Sequence, residues 1–275
     1  MHPVLFQTDF FGLLQEPLSL HTYGLMIALG FLGAMSLTRR EAEREGEDGE
    51  LIVDLSFYVL LFGLLGGRIL FIFTKAGYYA EQPLEILKIW RGGLVWYGGF
   101  IGAVAFILWF CRKHNLSSFK VLDILVPNMA FAHAVGRLGC LAAGCCFGKP
   151  TKLPWGIVFP EGSMVHQSHV ADGLVSYGDA LLTVHPTQLY EAAAEFMLFA
   201  GLVAFRHRKR FHGHLFLLWI AIYPVMRSCI EVFRGDKERG VYVLSTSQYI
   251  SIVVALAAIG LYFYFKKRVV ALQAL

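Results

Sequence analysis

Charge is scarce in this chain. Acidic and basic side chains make up 16% of it, against about a quarter in soluble domains, while apolar types make up 56%. With a mean hydropathy of +0.56, that deficit points to lipid contact rather than to an unusually large soluble core. No cationic block accompanies the net charge of +4, so a nucleic-acid partner is not expected. A cationic leader is missing too: "MHPVLFQTDFFGLLQEPLSLHTYGL" is interrupted by Asp9 and Glu16 and does not read as a cleaved signal peptide. Cysteine is sparse, five in no regular framework, which excludes a disulfide scaffold. There is no internal repeat and no linker long enough to separate domains. Residues 1–275 are therefore expected to form one transmembrane domain, with an external loop at about 149–187 as a cap.

What is abundant is aromatic and aliphatic. The 23 Phe and 12 Tyr suit the aromatic belts of a membrane protein. A helix crosses the hydrocarbon layer with about 20 mostly apolar residues. Seven stretches qualify, at roughly 20–38, 54–74, 94–111, 121–143, 188–205, 214–233 and 247–265. The expectation is an all-α integral membrane protein of seven transmembrane helices. The segments after the first, third and fifth stretches and the C-terminal "KKR" hold 13 Lys and Arg, and the segments on the other side hold 8. The positive-inside rule then places the N-terminus outside, the larger loop outside (periplasmic), and the C-terminus in the cytoplasm.

Three arginines remain, Arg68, Arg137 and Arg227, each in or at the edge of an apolar stretch. A guanidinium at a helix centre costs about 2.5–3.5 kcal/mol on the insertion scale. One reading is structural, with pairing to Glu191, Glu195 or Glu231. The other is a cationic cavity, because guanidinium matches phosphate or carboxylate bidentately. In "AIYPVMRSCIEVFRGDKERG", Tyr223, Arg227 and Arg234 fall on one helical face, with Glu231 spaced to pair with both arginines. In "TVHPTQLYE", Thr187 can cap a helix after Pro186, while His185, Gln188 and Tyr190 have weaker structural reasons to be there. The paired glycines of "RGGLVWYGGFIG" permit close approach, of a helix more readily than of a substrate, and Tyr97 between them is an interface anchor or a site residue. His21 and Tyr23 sit at the outer interface.

"HAVGRLGCLAAGCCFGKP" places Arg137 beside Cys140, Cys145 and Cys146. The C-x4-C-C spacing lacks the usual zinc hairpin, although His133 could join a mixed site. Small residues at a tight helix–turn are the plainer reading.

That stretch resembles the prolipoprotein diacylglyceryl transferase family. "GGR" at 66–68, "GGLVWYGG" at 92–99, "HPTQLYE" at 185–191, "RSCIEVFR" at 227–234 and "QYIS" at 248–251 follow in the family's order. The resemblance implies a multi-pass enzyme of the bacterial inner (cytoplasmic) membrane that serves lipoprotein biosynthesis. Its substrates would be phosphatidylglycerol, among the membrane lipids, and preprolipoprotein signal peptides with a lipobox. The sn-1,2-diacylglyceryl group would move to the lipobox cysteine thiol, forming a thioether and releasing glycerol 1-phosphate, with no metal or cofactor. By position, Arg137 and Arg227 would be the catalytic phosphate-site arginines, with Tyr97 beside the chemistry. Arg234, Arg68, Tyr23, Tyr223, Gly136, Gly139, His185, Gln188 and Glu191 would bind the lipid. Two positions depart from the pattern. Tyr97 stands where members carry His, a base candidate: either Tyr97 orients the lipid while His21, His133 or His185 takes the proton, or the base was never the residue at this position. Cys140 stands where members carry Asn. The departures keep open a paralogue with another lipid or acceptor. An anion transporter could use the same buried arginines, but the chain lacks the paired repeats of transporters.

Overall fold

The computed structural model describes residues 4–8, 18–88, 92–235, 240–241 and 244–273. Asp9, Glu16, Arg91 and the segment 236–239 lie outside the described residues, as do the side chains of Tyr249, Ile250, Ser251 and Arg268.

Helices dominate, in the order α1 (Thr22–Arg44), α2 (Gly49–Thr74), α3 (Ala76–Glu81), α4 (Trp96–Lys113), α5 (Ser118–Ala143), α6 (Met164–Ala171), α7 (Thr187–Phe205), α8 (His214–Glu231) and α9 (Thr246–Gln273). The expectation of an all-α fold needs one addition, three two-stranded antiparallel ladders. They pair β1 (Val4–Thr8) with β2 (Leu18–His21), β3 (Ile157–Val158) with β4 (Thr183–Val184), and β5 (Gly240–Val241) with β6 (Leu244–Ser245). Among the described residues, four helical segments are long and apolar enough to cross a membrane: α2, α5, α8, and α7 with its extension to Arg208. α1, α4 and α9 occupy the other three expected stretches. Large apolar side chains face outward along these helices, for example Phe73 at 72% and Val253 at 67% exposure. Lipid, not water, is the solvent that suits such a surface.

The chain packs as two compact units, residues 35–125 and residues 1–34 with 126–275. The first is built on α2 and α4. Asp48 caps α2 by accepting from the amides of Glu50 and Leu51. The glycines of "GLLGGR" and "WYGGFIG" face each other: a Cβ on Gly66 would come within 2.4 Å of the Gly98 carbonyl, and one on Gly98 within 2.3 Å of the Gly66 carbonyl. Only glycine permits this backbone approach, so helix packing accounts for the paired glycines. Ile52, Leu55, Phe110, Cys111, Val121 and Ile124 form the buried core.

In the other unit, α5 runs unbroken through Pro127. The first half of α1 lies against it, with Gly30 close to the Ala132 carbonyl and Gly33 against the Phe131 ring. Val126, Leu198, Leu202 and Leu215 make a core where α5, α7 and α8 meet. The loop after α5 folds into a small cap. Phe147, Phe159, Val165 and Val184 fill its core, and Ser163 caps α6 by accepting from the His166 amide. Burial of His169 in this cap lowers its pKa.

Candidate active site

The end of α5 is fixed by a glycine. Gly144 takes φ +73°, the Gly144 amide donates to the Leu141 carbonyl and the Cys145 amide to the Cys140 carbonyl. These two bonds make a Schellman stop. The chain then turns through Cys146, a non-glycine residue at φ +60°, a conformation costing about 1–2 kcal/mol. α7 holds it there: Thr187 Oγ1 donates to the Cys146 carbonyl at 2.7 Å and Gln188 Nε2 to the Cys145 carbonyl at 2.7 Å. Thr187 was expected to cap α7. It does not: Pro186 takes the N-cap position, and the Thr187 hydroxyl is spent on this loop.

Beneath the loop, α5, α7 and α8 supply a buried ionic network. Arg137 Nη2 lies 2.8 Å from Glu191 Oε1, and Arg227 Nε lies 3.6 Å from the same oxygen. Arg227 Nη2 lies 2.7 Å from Glu231 Oε2. Both carboxylate oxygens, though close, sit off the N–H axes and accept no aligned hydrogen bond, and among the described residues Arg227 Nη1 is buried without a partner. An unmade buried donor costs about 1–3 kcal/mol. The carboxylates therefore balance the charge while leaving N–H directions for another acceptor. The network continues to His133, whose Nδ1 is 2.7 Å from Glu195 Oε1 and whose Nε2 accepts from Arg137 Nε at 3.2 Å. Tyr223 stacks on Trp219 and lies beside the His133 ring.

The structure thus brings together Arg137, Arg227, Glu191 and Tyr223. Tyr23, half-exposed at the start of α1, is within electrostatic reach of Arg137 and of the three thiols. A Cβ on Gly139 would touch Tyr23 and Met26, so this glycine serves helix packing; a Cβ on Gly136 would meet open space. Gln188 is spent on the Cys145 carbonyl. His185 meets the Tyr190 hydroxyl at 3.2 Å and the Phe233 ring. Arg234 was expected on a helical face with Arg227, but α8 stops at Glu231, and Arg234, buried, pairs by a β-bridge with Gly148 and contacts Cys146.

Arg68 and Tyr97 belong to the other unit. Arg68 was expected at the lipid. Its guanidinium instead donates to the carbonyls of Glu85, Ile86, Lys88, Gly92 and Gly93. That uses all five of its donors, so Arg68 staples a loop. Tyr97 opens α4, half-exposed, its ring edge-on to Trp96.

The sequence offers His133 as a base or metal ligand and Glu195 as an arginine partner; the structure pairs the two with each other instead. The signal was spacing: His133 is four before Arg137, and Glu195 four after Glu191, so both fall on the faces already chosen.

The Sγ atoms of Cys140, Cys145 and Cys146 all lie within 4.8 Å of one another. Hydrogen bonds with the Cys140 and Cys145 thiols, with Arg234 beside it, lower the pKa of the Cys146 thiol, while hydrogen bonds with Cys140 and Cys146 raise that of Cys145.

Residues 10–264 match the family described as prolipoprotein diacylglyceryl transferase. Relatives include the phosphatidylglycerol–prolipoprotein diacylglyceryl transferase of Clostridium tetani, 36% identical over 94% of this chain and 96% of its own length. The Bordetella parapertussis protein of that name is 36% identical over 94% and 95%, and that of Nitratidesulfovibrio vulgaris 38% over 79% and 78%. A site of paired guanidinium groups between apolar helices and a match along nearly the whole chain lead to one conclusion: the chain belongs to the prolipoprotein diacylglyceryl transferase family.

Proposed function

We propose that this chain transfers the sn-1,2-diacylglyceryl group of phosphatidylglycerol to the thiol of a lipobox cysteine in preprolipoproteins, forming a thioether and releasing glycerol 1-phosphate. It acts as a multi-pass enzyme of the bacterial inner membrane, with seven spans, the N-terminus and the cap outside and the C-terminus in the cytoplasm. The observation that carries the reading is the pair Arg137 and Arg227 on one carboxylate, Glu191, with a buried Nη1 on Arg227 that has no partner among the described residues. Sulfur attacks the glyceryl CH2 and the carbon–oxygen bond to phosphate breaks. Charge on the departing phosphate grows in that step, and preorganised guanidinium donors stabilise it. Glu191 keeps the two cations from repelling each other before lipid arrives.

His133 supports the arginines. With Nδ1 on Glu195 and Nε2 on the Arg137 N–H, both ring nitrogens are engaged, so the ring orients Arg137. Arg137→Ala and Arg227→Ala should each abolish transfer to a lipobox peptide in a protein that still inserts and folds; near-normal turnover in either would remove the phosphate-site assignment. Tyr97 and Cys140 favour a second reading, the same scaffold working on a different lipid or acceptor. Product mass from mixed-lipid vesicles separates the two.

A further inference from the structure

In the proposed reaction the acceptor thiol must lose its proton, and the side chains of Tyr97 and His133 are poorly suited to take it. A neutral tyrosine is a poor base at neutral pH, with an ordinary pKa near 10, and both nitrogens of the His133 ring are engaged. Beside Arg137, however, the chain holds three thiols. We infer that Cys140, Cys145 and Cys146 bind one Zn2+ ion and present its remaining coordination position to the acceptor thiol; the second half of this statement rests on the transferase reading.

Geometry is the first argument. With zinc–sulfur bonds of about 2.3 Å, sulfurs in a tetrahedral site stand roughly 3.8 Å apart. The three Sγ atoms already lie within 4.8 Å of one another, so a contraction of about an ångström completes the site. The second argument is preorganisation. A Schellman stop places Cys140 and Cys145, and the Thr187 and Gln188 side chains fix the carbonyls of Cys146 and Cys145. The strained backbone of Cys146 brings the third sulfur to the other two. Such strain persists where the surroundings over-determine it. Charge is the third argument. Three thiolates and Zn2+ carry one net negative charge, and Arg234 lies against Cys146 while Arg137 is within electrostatic reach of Cys140 and Cys146. An all-sulfur donor set selects a soft or borderline ion and rejects Mg2+ and Ca2+.

Three protein ligands leave zinc an open position, the arrangement of catalytic rather than structural sites. Zn2+ there would act as a Lewis acid: the arriving thiol would give its proton to solvent water and be held as thiolate. The sulfur would then attack the glyceryl carbon, and the phosphate would depart with the electron pair of the broken carbon–oxygen bond, leaving a neutral thioether.

The test uses the reduced, metal-stripped full-length protein in detergent, titrated with Co2+ as an optical substitute for Zn2+. One equivalent should bind with intense sulfur-to-metal charge-transfer bands that Zn2+ displaces. Cys140→Ser and Cys145→Ser should each lose them, and Cys229→Ser, exposed and outside the cluster, should keep them. A lipobox peptide with its cysteine should intensify the bands, and the same peptide with serine should leave them unchanged. Absence of stoichiometric binding, bands that survive both cluster substitutions, or indifference to the cysteine peptide overturns the inference. Thioether formation is followed alongside. Full turnover in metal-stripped protein with chelator overturns the metal and leaves the transferase standing. A normal Co2+ titration with no thioether under any metal condition overturns the transferase reading, and with it the assignment of the open position.

Discussion

Glu191 is 1% exposed and sits between two guanidinium groups. Removing one partner from a buried ion cluster leaves uncompensated charge and costs about 3–5 kcal/mol. Glu191→Gln should therefore lower the unfolding midpoint in detergent markedly, even though it adds positive potential at the phosphate site. Arg137→Lys and Arg227→Lys test a different property. Lysine keeps the charge but loses the planar fork, and each should reduce kcat/KM by a factor of about 10² to 10³, as for the loss of one preorganised donor, with an unchanged midpoint. A midpoint that falls as far as in Glu191→Gln would make these arginines structural, the reading that the nearby glutamates offered from sequence.

The α2–α4 crossing and the cap carry the clearest predictions at the scale of elements. Gly98→Ala places a methyl 2.3 Å from the Gly66 carbonyl, backbone that cannot swing away, and overpacking of this kind costs about 1–3 kcal/mol. Gly201→Ala, whose Cβ would meet nothing within 4 Å, should be neutral or mildly stabilising, since alanine is the better helix former. Thermal unfolding in detergent compares them. In the cap, burial lowers the His169 pKa. The unfolded cap then binds the extra proton more readily, so the contribution of neutral His169 is fully present above about pH 6.5 and is lost as pH falls below it. Proteolysis of the cap should accelerate from about pH 7.5 to pH 5.5, and His169→Gln should flatten that dependence. Helix positions were legible in the sequence because apolar runs and their flanking charges are local. The roles of Arg68, Arg234 and Thr187 were not, because each depends on which carbonyl or sulfur a distant loop delivers. Arg68 reads as a membrane-buried cation, yet its partners lie 17 to 25 residues away.

For the whole molecule, the proposed topology follows from 13 cationic side chains on one side against 8 on the other. An epitope inserted at Gly178, in the exposed turn of the cap, should be reached by antibody in spheroplasts, and one appended after Leu275 only after lysis. The reverse pattern would invert the membrane orientation and put the cap in the cytoplasm. The proposed reaction needs the cap, the arginine pair and the thiol cluster on the side where the acceptor signal peptide emerges. The measurement that bears most directly on the whole account is incubation of the purified protein with phosphatidylglycerol vesicles and a lipobox peptide, read by mass spectrometry. The account predicts a peptide gaining one diacylglyceryl group on its cysteine sulfur, with glycerol 1-phosphate released in equal amount. An unmodified peptide, in a preparation that unfolds cooperatively and retains bound lipid, would contradict it.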